Sequence, residues 1–136
     1  MIQLIEIAQS MTNAELNLKL ALSVGHTEIS EHEDLIRRQR NNYVGTGIVA
    51  LYGDHYILRV DGFSDTWAPC TDPAASLTAE TWALQRDERY IDNLADILRP
   101  KNVAYSRAWV AELFQATPRQ RAEAAWITLH SLQALK

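Results

Sequence analysis

The sequence holds one cysteine, five glycines and four prolines in 136 residues. With Cys70 alone no intrachain disulfide can form, so packing must supply the stability, and a reducing cytoplasm is the expected setting. Glycine and proline this sparse, beside 47% hydrophobic and 22% charged residues, exclude a low-complexity or disordered chain. No apolar run approaches the roughly 20 residues that cross a bilayer, and Met1 to Ile7 has neither a basic flank nor a small-residue cleavage site. A single, non-secreted domain without membrane association is expected, spanning residues 1–136.

Complete chemical motifs are also missing. Gly45, Thr46 and Gly47 lack the remaining pattern and the lysine of a phosphate-binding loop. His26, Glu28, His32 and Glu33 offer nitrogen and oxygen ligands, but not at the i,i+4 spacing of a helical zinc site, so neither metal nor cofactor is expected. Cys70 and His55 suggest a nucleophile and a base, yet the orienting group and oxyanion site of such chemistry are not visible. A small enzyme or ligand-binding domain built on those two residues and nearby acids remains the alternative reading. The carboxylate pairs Asp61 with Asp65 and Asp92 with Asp96 are undiagnostic, and the second is a repulsive i,i+4 pair acceptable only where exposed.

Charge is unevenly spread. Residues 1–98 carry 7 basic and 15 acidic side chains, hence −8, and residues 99–136 carry 6 and 2, hence +4, which sums to the net −4. The basic end, with Arg99, Lys101, Arg107, Arg119 and Arg121, could meet nucleic acid, although the acidic bulk opposes it. The stretch from Asp54 to Asp96, with nine acids against three arginines, could instead meet a basic surface on another protein. Ordinary solvated faces explain either distribution as well.

Local patterns predict an α+β fold: a small antiparallel sheet, with a hairpin at about 46–60 plus a further strand, packed against four to five helices. Met1 to Ile7 fits a helical stripe or a short strand, and composition does not choose between them. Thr12 and Glu15 form a capping box for a helix from Asn13 to Val24, apolar on more than one side and stopped by Gly25. Glu28, Glu31, Glu33 and Asp34 precede Arg37, Arg38 and Arg40, the order that suits the dipole of a helix from Ser30 to Arg40. Thr46 to Tyr52 and Tyr56 to Val60 read as a hairpin around Gly53 to His55. Its alternation predicts Tyr56, Leu58 and Val60 inward, with Arg59 and Asp61 outward. A third strand at Phe63 or in Met1 to Ile7 is needed, because a lone hairpin is marginal.

Asp72 caps a helix opening at Pro73, which continues in two pieces broken near Gln85 to Glu88, with Ile91, Leu94, Ala95 and Leu98 buried in the second and Pro100 ending it. Ser106 to Gln115 forms a helix burying Trp109, Val110, Leu113 and Phe114. Thr117, Pro118 and Gln120 open a last helix to about Leu135, with Ala122, Ala125, Trp126, Leu129 and Leu132 at helical spacing. Trp82, Trp109 and Trp126 are assigned to the core. Tyr52, Tyr56 and Trp67, at the hairpin and its exit, suit either interface anchors or a minor core.

Three patches carry a resemblance: Thr12, Ala14, Glu15 and Leu16; Trp67, Pro69, Asp72 and Ala74; and Arg119, Arg121 and Ala122. In these the chain resembles the NinX-like group of small phage and prophage proteins. The resemblance implies a mobile-element accessory protein in a bacterial cytoplasm, with a host protein complex as partner and inhibition of a bacterial defence system, as by an anti-CRISPR protein, as the most concrete activity. It supplies no catalytic residues. The interface expected on this reading comprises Tyr52, Asp54, Tyr56, Arg59, Asp61, Asp65, Trp67 and Asp72, and self-association stays open.

Overall fold

The computed structural model describes residues 2–40, 46–52, 55–60, 63–98 and 107–134. Among these residues seven helices and four strands follow in the order α1 (Ile2–Ser10), α2 (Asn13–Ser23), β1 (Thr27–Ile29), α3 (Glu31–Arg40), β2 (Thr46–Tyr52), β3 (His55–Val60), β4 (Phe63–Trp67), α4 (Pro73–Arg86), α5 (Arg89–Leu98), α6 (Arg107–Phe114) and α7 (Pro118–Ala134). The fold is α+β, a small sheet packed against helices. Expectations for Asp54, Asp61, Arg99, Pro100, Lys101, Leu135 and the Trp109 side chain fall outside the described residues.

Capping chemistry sets most helix starts. Thr12 Oγ1 accepts the Glu15 N–H of α2 at 3.1 Å, and Ser30 Oγ accepts that of Glu33 in α3 at 3.1 Å. Asp72 Oδ1 accepts the Ala74 N–H, with Pro73 opening α4. At α7 the box is reciprocal: Gln120 N–H donates to Thr117 Oγ1 at 3.1 Å, and Thr117 N–H donates to Gln120 Oε1 at 2.9 Å. Gly25 at φ +93° follows the end of α2, a backbone region open to glycine. The first residues resolve as helix α1, because the stripe of Ile5 and Ala8 is buried against the core.

Helix α7 is buried on every side from Ala122 to Leu129 and packs against α1, α2, α4 and α5. Ala122, Ala124 and Ala125 are fully buried, and side chains this small let four neighbours approach one axis. Helix α2 lies between α7 and the sheet, as its several apolar faces predict. On α5 the buried face is Tyr90, Asn93, Leu94 and Ile97, not the predicted stripe, and Ile91 is 42% exposed. Asn93 could not be read as internal because its partner, the Thr128 hydroxyl at 2.8 Å, lies on α7. On α6, Val110 and Phe114 are also exposed, Phe114 at 79%, while Leu113 packs on the core. Neighbouring helices cover only one side of that stripe.

The sheet order is β1-β2-β3-β4, with β2, β3 and β4 antiparallel and β1 parallel to β2. The sheet is therefore mixed, not purely antiparallel, and α3 supplies the crossover that parallel neighbours require. The further strand is at Phe63, as expected, while β1 adds a fourth. At the end of β2 the register shifts between Val49 and Tyr52, and Leu51 takes φ +25°, a bulge preceding the hairpin turn.

Both sheet faces are covered, and this corrects the outward placement of Arg59. Tyr56 and Trp67 face the helical core, buried to 5% and 2% exposure. On the opposite face Arg59 is 9% exposed beneath α3, where Nε donates to Asp34 Oδ1 at 3.0 Å and Nη2 to Oδ2 at 3.2 Å. Arg59 Nη1 also donates to Ser64 Oγ on β4. Asp34 is the fully buried residue of α3, whereas Leu35 next to it is 45% exposed. A bidentate ion pair thus docks this polar helix on the sheet.

Breaking a buried pair strands the remaining charge, so Asp34→Ala should cost about 3–5 kcal/mol in urea unfolding. The double variant Asp34→Leu/Arg59→Met should recover most of that loss. Equal destabilisation of both variants would show that shape, and not the stranded charge, governs the site.

Candidate functional site

Of the eight residues expected to form an interface, the structure brings few to the surface together. Tyr56, Arg59 and Trp67 are internal, and the Trp67 Nε1–H donates to the Asn17 carbonyl at 2.8 Å. Asp72 is committed to capping α4. Tyr52 is half-buried and Asp65 exposed, while Asp54 and Asp61 lie outside the described residues. Buried aromatics and a buried arginine cannot touch a partner without unfolding, so the hairpin does not present the combined patch.

Around Cys70 lies a polar junction. Its N–H donates to Asn17 Oδ1 at 3.0 Å, and its thiol approaches the Asn13 carbonyl at 3.7 Å. Arg119 reaches in from α7, donating from Nη1 to Asn13 Oδ1, from Nη2 to the Ala8 and Met11 carbonyls, and from Nε to Glu123 Oε2, each at 2.8 Å. Burial pushes the Cys70 thiol up to about 11, although the Arg119 guanidinium beside it pulls the other way. Essentially no thiolate then exists at neutral pH, which opposes a nucleophilic role. Among the described residues, the charged groups that act on the thiol are Arg119 and Glu123.

A second cluster joins α4, α5, α6 and α7. The Tyr90 hydroxyl donates to Glu80 Oε2 at 2.7 Å, and Arg121 Nη1 donates to the same oxygen. Arg121 also donates to the carbonyls of Leu113, Phe114 and Ala116, closing the C-terminal end of α6. Burial first, and the Glu80 carboxylate second, push the Tyr90 hydroxyl far above its ordinary range. Arg119 and Arg121, which could have met nucleic acid as part of a basic end, are therefore half-buried ties between elements. A sequence signal existed: arginines in the first turn of α7 oppose the helix dipole and need another purpose.

The other suspected groups are dispersed. His26 meets Trp67 edge-on at 5.4 Å, and burial lowers its pKa. His32 and Glu33 are exposed on α3, with Glu33 and Arg37 paired at 3.9 Å as their spacing predicts. Among the described residues no three His, Cys, Asp or Glu side chains converge as for a metal ion. Two surface depressions of about 230 and 320 Å³ are lined, among the described residues, by α3 and α4 respectively. Trp82 lines the second, and Arg86 stacks 3.6 Å from its ring centre.

One outward row is acidic, although Arg89 beside it is exposed too. Glu88, in the turn before α5, and Asp92 and Asp96 on the helix are all exposed and follow one another at single-turn spacing, with Ile91 beside them. Among the described residues no ion pair uses these three carboxylates, whereas Asp34, Glu33, Asp87, Glu123 and Glu80 are all paired. Asp96 repels Asp92 and sits in the last turn, where the helix dipole disfavours a negative charge.

The raised groups fix a sign for alkaline unfolding. The fold keeps Cys70 and Tyr90 protonated where the unfolded chain gives its protons up, so their contribution is complete below the unfolded values and is lost as pH rises. Stability should fall from pH 9.0, the ordinary thiol value, toward about 11. Cys70→Ala should flatten that fall, and wild-type Cys70 should react with thiol reagents only on unfolding. Rapid modification of the native chain at neutral pH would contradict the assignment.

Compared with protein-family models, curated proteins and solved structures, the chain finds no match in any of the three.

Proposed function

We propose that the chain is a phage or mobile-element accessory protein that binds a host protein complex, using the acidic ridge of α5 against a basic surface. One observation carries the reading: Glu88, Asp92 and Asp96 stand exposed in line, and among the described residues no ion pair uses them. Such a row costs stability through self-repulsion, about 0.2–0.5 kcal/mol per i,i+4 pair, and an outside cation offsets that cost. Ile91, 42% exposed beside them, adds apolar contact to the charge.

The ridge belongs to the acidic segment from Asp54 to Asp96. Opposed charges steer encounter and set specificity, and a basic surface that normally receives nucleic acid is the natural counterpart. The resemblance to NinX-like proteins supports a mobile-element context, in which inhibition of a bacterial defence complex is the concrete form. The inward arrangement of Arg119 and Arg121 disfavours direct nucleic-acid binding.

Affinity purification from bacterial lysate should recover a partner with the wild-type chain, and Asp92→Lys/Asp96→Lys should lose it, as should high salt. The milder Asp92→Asn/Asp96→Asn variant should weaken recovery while unfolding at slightly higher urea, because a repulsion is removed. Equal recovery by all three chains at all salt concentrations would overturn the assignment of this surface.

A further inference from the structure

Strand β4 is one edge of the sheet, and among the described residues its ladder partner is β3. The other edge, β1, is three residues long, and so short an edge offers a second strand little to pair with. β4 is longer, and Ser64, Asp65 and Thr66 along it are exposed. An open edge of this kind is a template for another strand.

The register decides which backbone groups face outward. Val60 pairs with Phe63 across two intervening residues, and in such a hairpin the pair flanking the turn exchanges both backbone bonds, after which bonded and non-bonded pairs alternate. Asp65, opposite Leu58, then directs its backbone groups into the ladder, while Ser64 and Thr66 direct theirs to the open edge. The outward Thr66 N–H is already engaged: it donates to Oδ1 of Asp65 at 2.8 Å. The Ser64 hydroxyl is turned to the opposite task of accepting from Arg59.

We propose that Asp65 is a latch that closes this edge against pairing with β4 of a second copy of the chain. The edge is self-complementary. Two copies running antiparallel would set Ser64 of one opposite Thr66 of the other, and both pairs would exchange their outward bonds about a two-fold axis. That axis falls on Asp65. Pairing would therefore require each carboxylate to release its Thr66 N–H and then to face its own copy across the close, non-bonded position, where like charges repel. The hydrogen bond is the latch, and the charge adds to it. The inference is independent of the acidic ridge on α5.

Asp65→Ala and Asp65→Val remove the acceptor, whereas Asp65→Asn keeps an oxygen at the same place without the charge. With folding verified by circular dichroism, sedimentation should show the apparent mass doubling with concentration for Asp65→Ala and Asp65→Val. The Thr66 amide should become protected from hydrogen exchange over the same range. Wild type and Asp65→Asn should keep constant mass and constant Thr66 exchange. The latch is overturned if both acceptor-free variants behave as wild type, or if Asp65→Asn associates as readily as Asp65→Ala.

Discussion

Enclosure of α7 is the constraint on which the rest depends. From Ala122 to Leu129 the helix has no solvent face on which to place polar groups, so each one there must find a partner. Thr128 donates back to the Ala124 carbonyl and accepts from Asn93, while Glu123 is held by Arg119. Alanine at 122, 124 and 125 sets how closely the neighbours approach. Larger residues there would force the surrounding helices apart, since close-packed interiors have no spare volume.

Charge is used inside this fold as an assembly device. Arg59 with Asp34 fastens α3 to the sheet, Arg119 ties the end of α1 and the α1–α2 junction to α7, and Arg121 ties the end of α6 to α4. In a chain with few glycines, both α7 arginines satisfy helix-terminal carbonyls that a glycine cap would otherwise help close. The result also affects the surface. Arg59, Arg119 and Arg121 are drawn toward their partners, while Glu88, Asp92 and Asp96 stay exposed beside Arg89.

Local chemistry was legible in the sequence, and long-range pairing was not. Thr12 with Glu15, Asp72 with Pro73, and Thr117 with Gln120 announce their helices because each cap is completed within a few residues. The β2–β3 hairpin was readable from β-branched and aromatic content. β1 is not legible because Thr27, Glu28 and Ile29 are too few to alternate. Arg59 was assigned to solvent because alternation distinguishes the two faces of a strand without saying whether the polar one is covered, and its partner is 25 positions earlier. For the candidate surface, the repulsion between Asp92 and Asp96 already required exposure. Tyr56 and Trp67 are internal, and nothing in the hairpin's own sequence shows the helices that cover them.

The position of α7 in the chain has a consequence for the order of synthesis. Residues 118–134 emerge from the ribosome after α1, α2, α4 and α5, yet those helices bury their apolar faces against them. Arg119 closes contacts with Ala8 and Met11 across 111 and 108 positions. Until that segment is free, the earlier helices have no common surface to close upon. Cooperative folding therefore waits on late synthesis, and a chain arrested before α7 would expose apolar faces suited to chaperone capture.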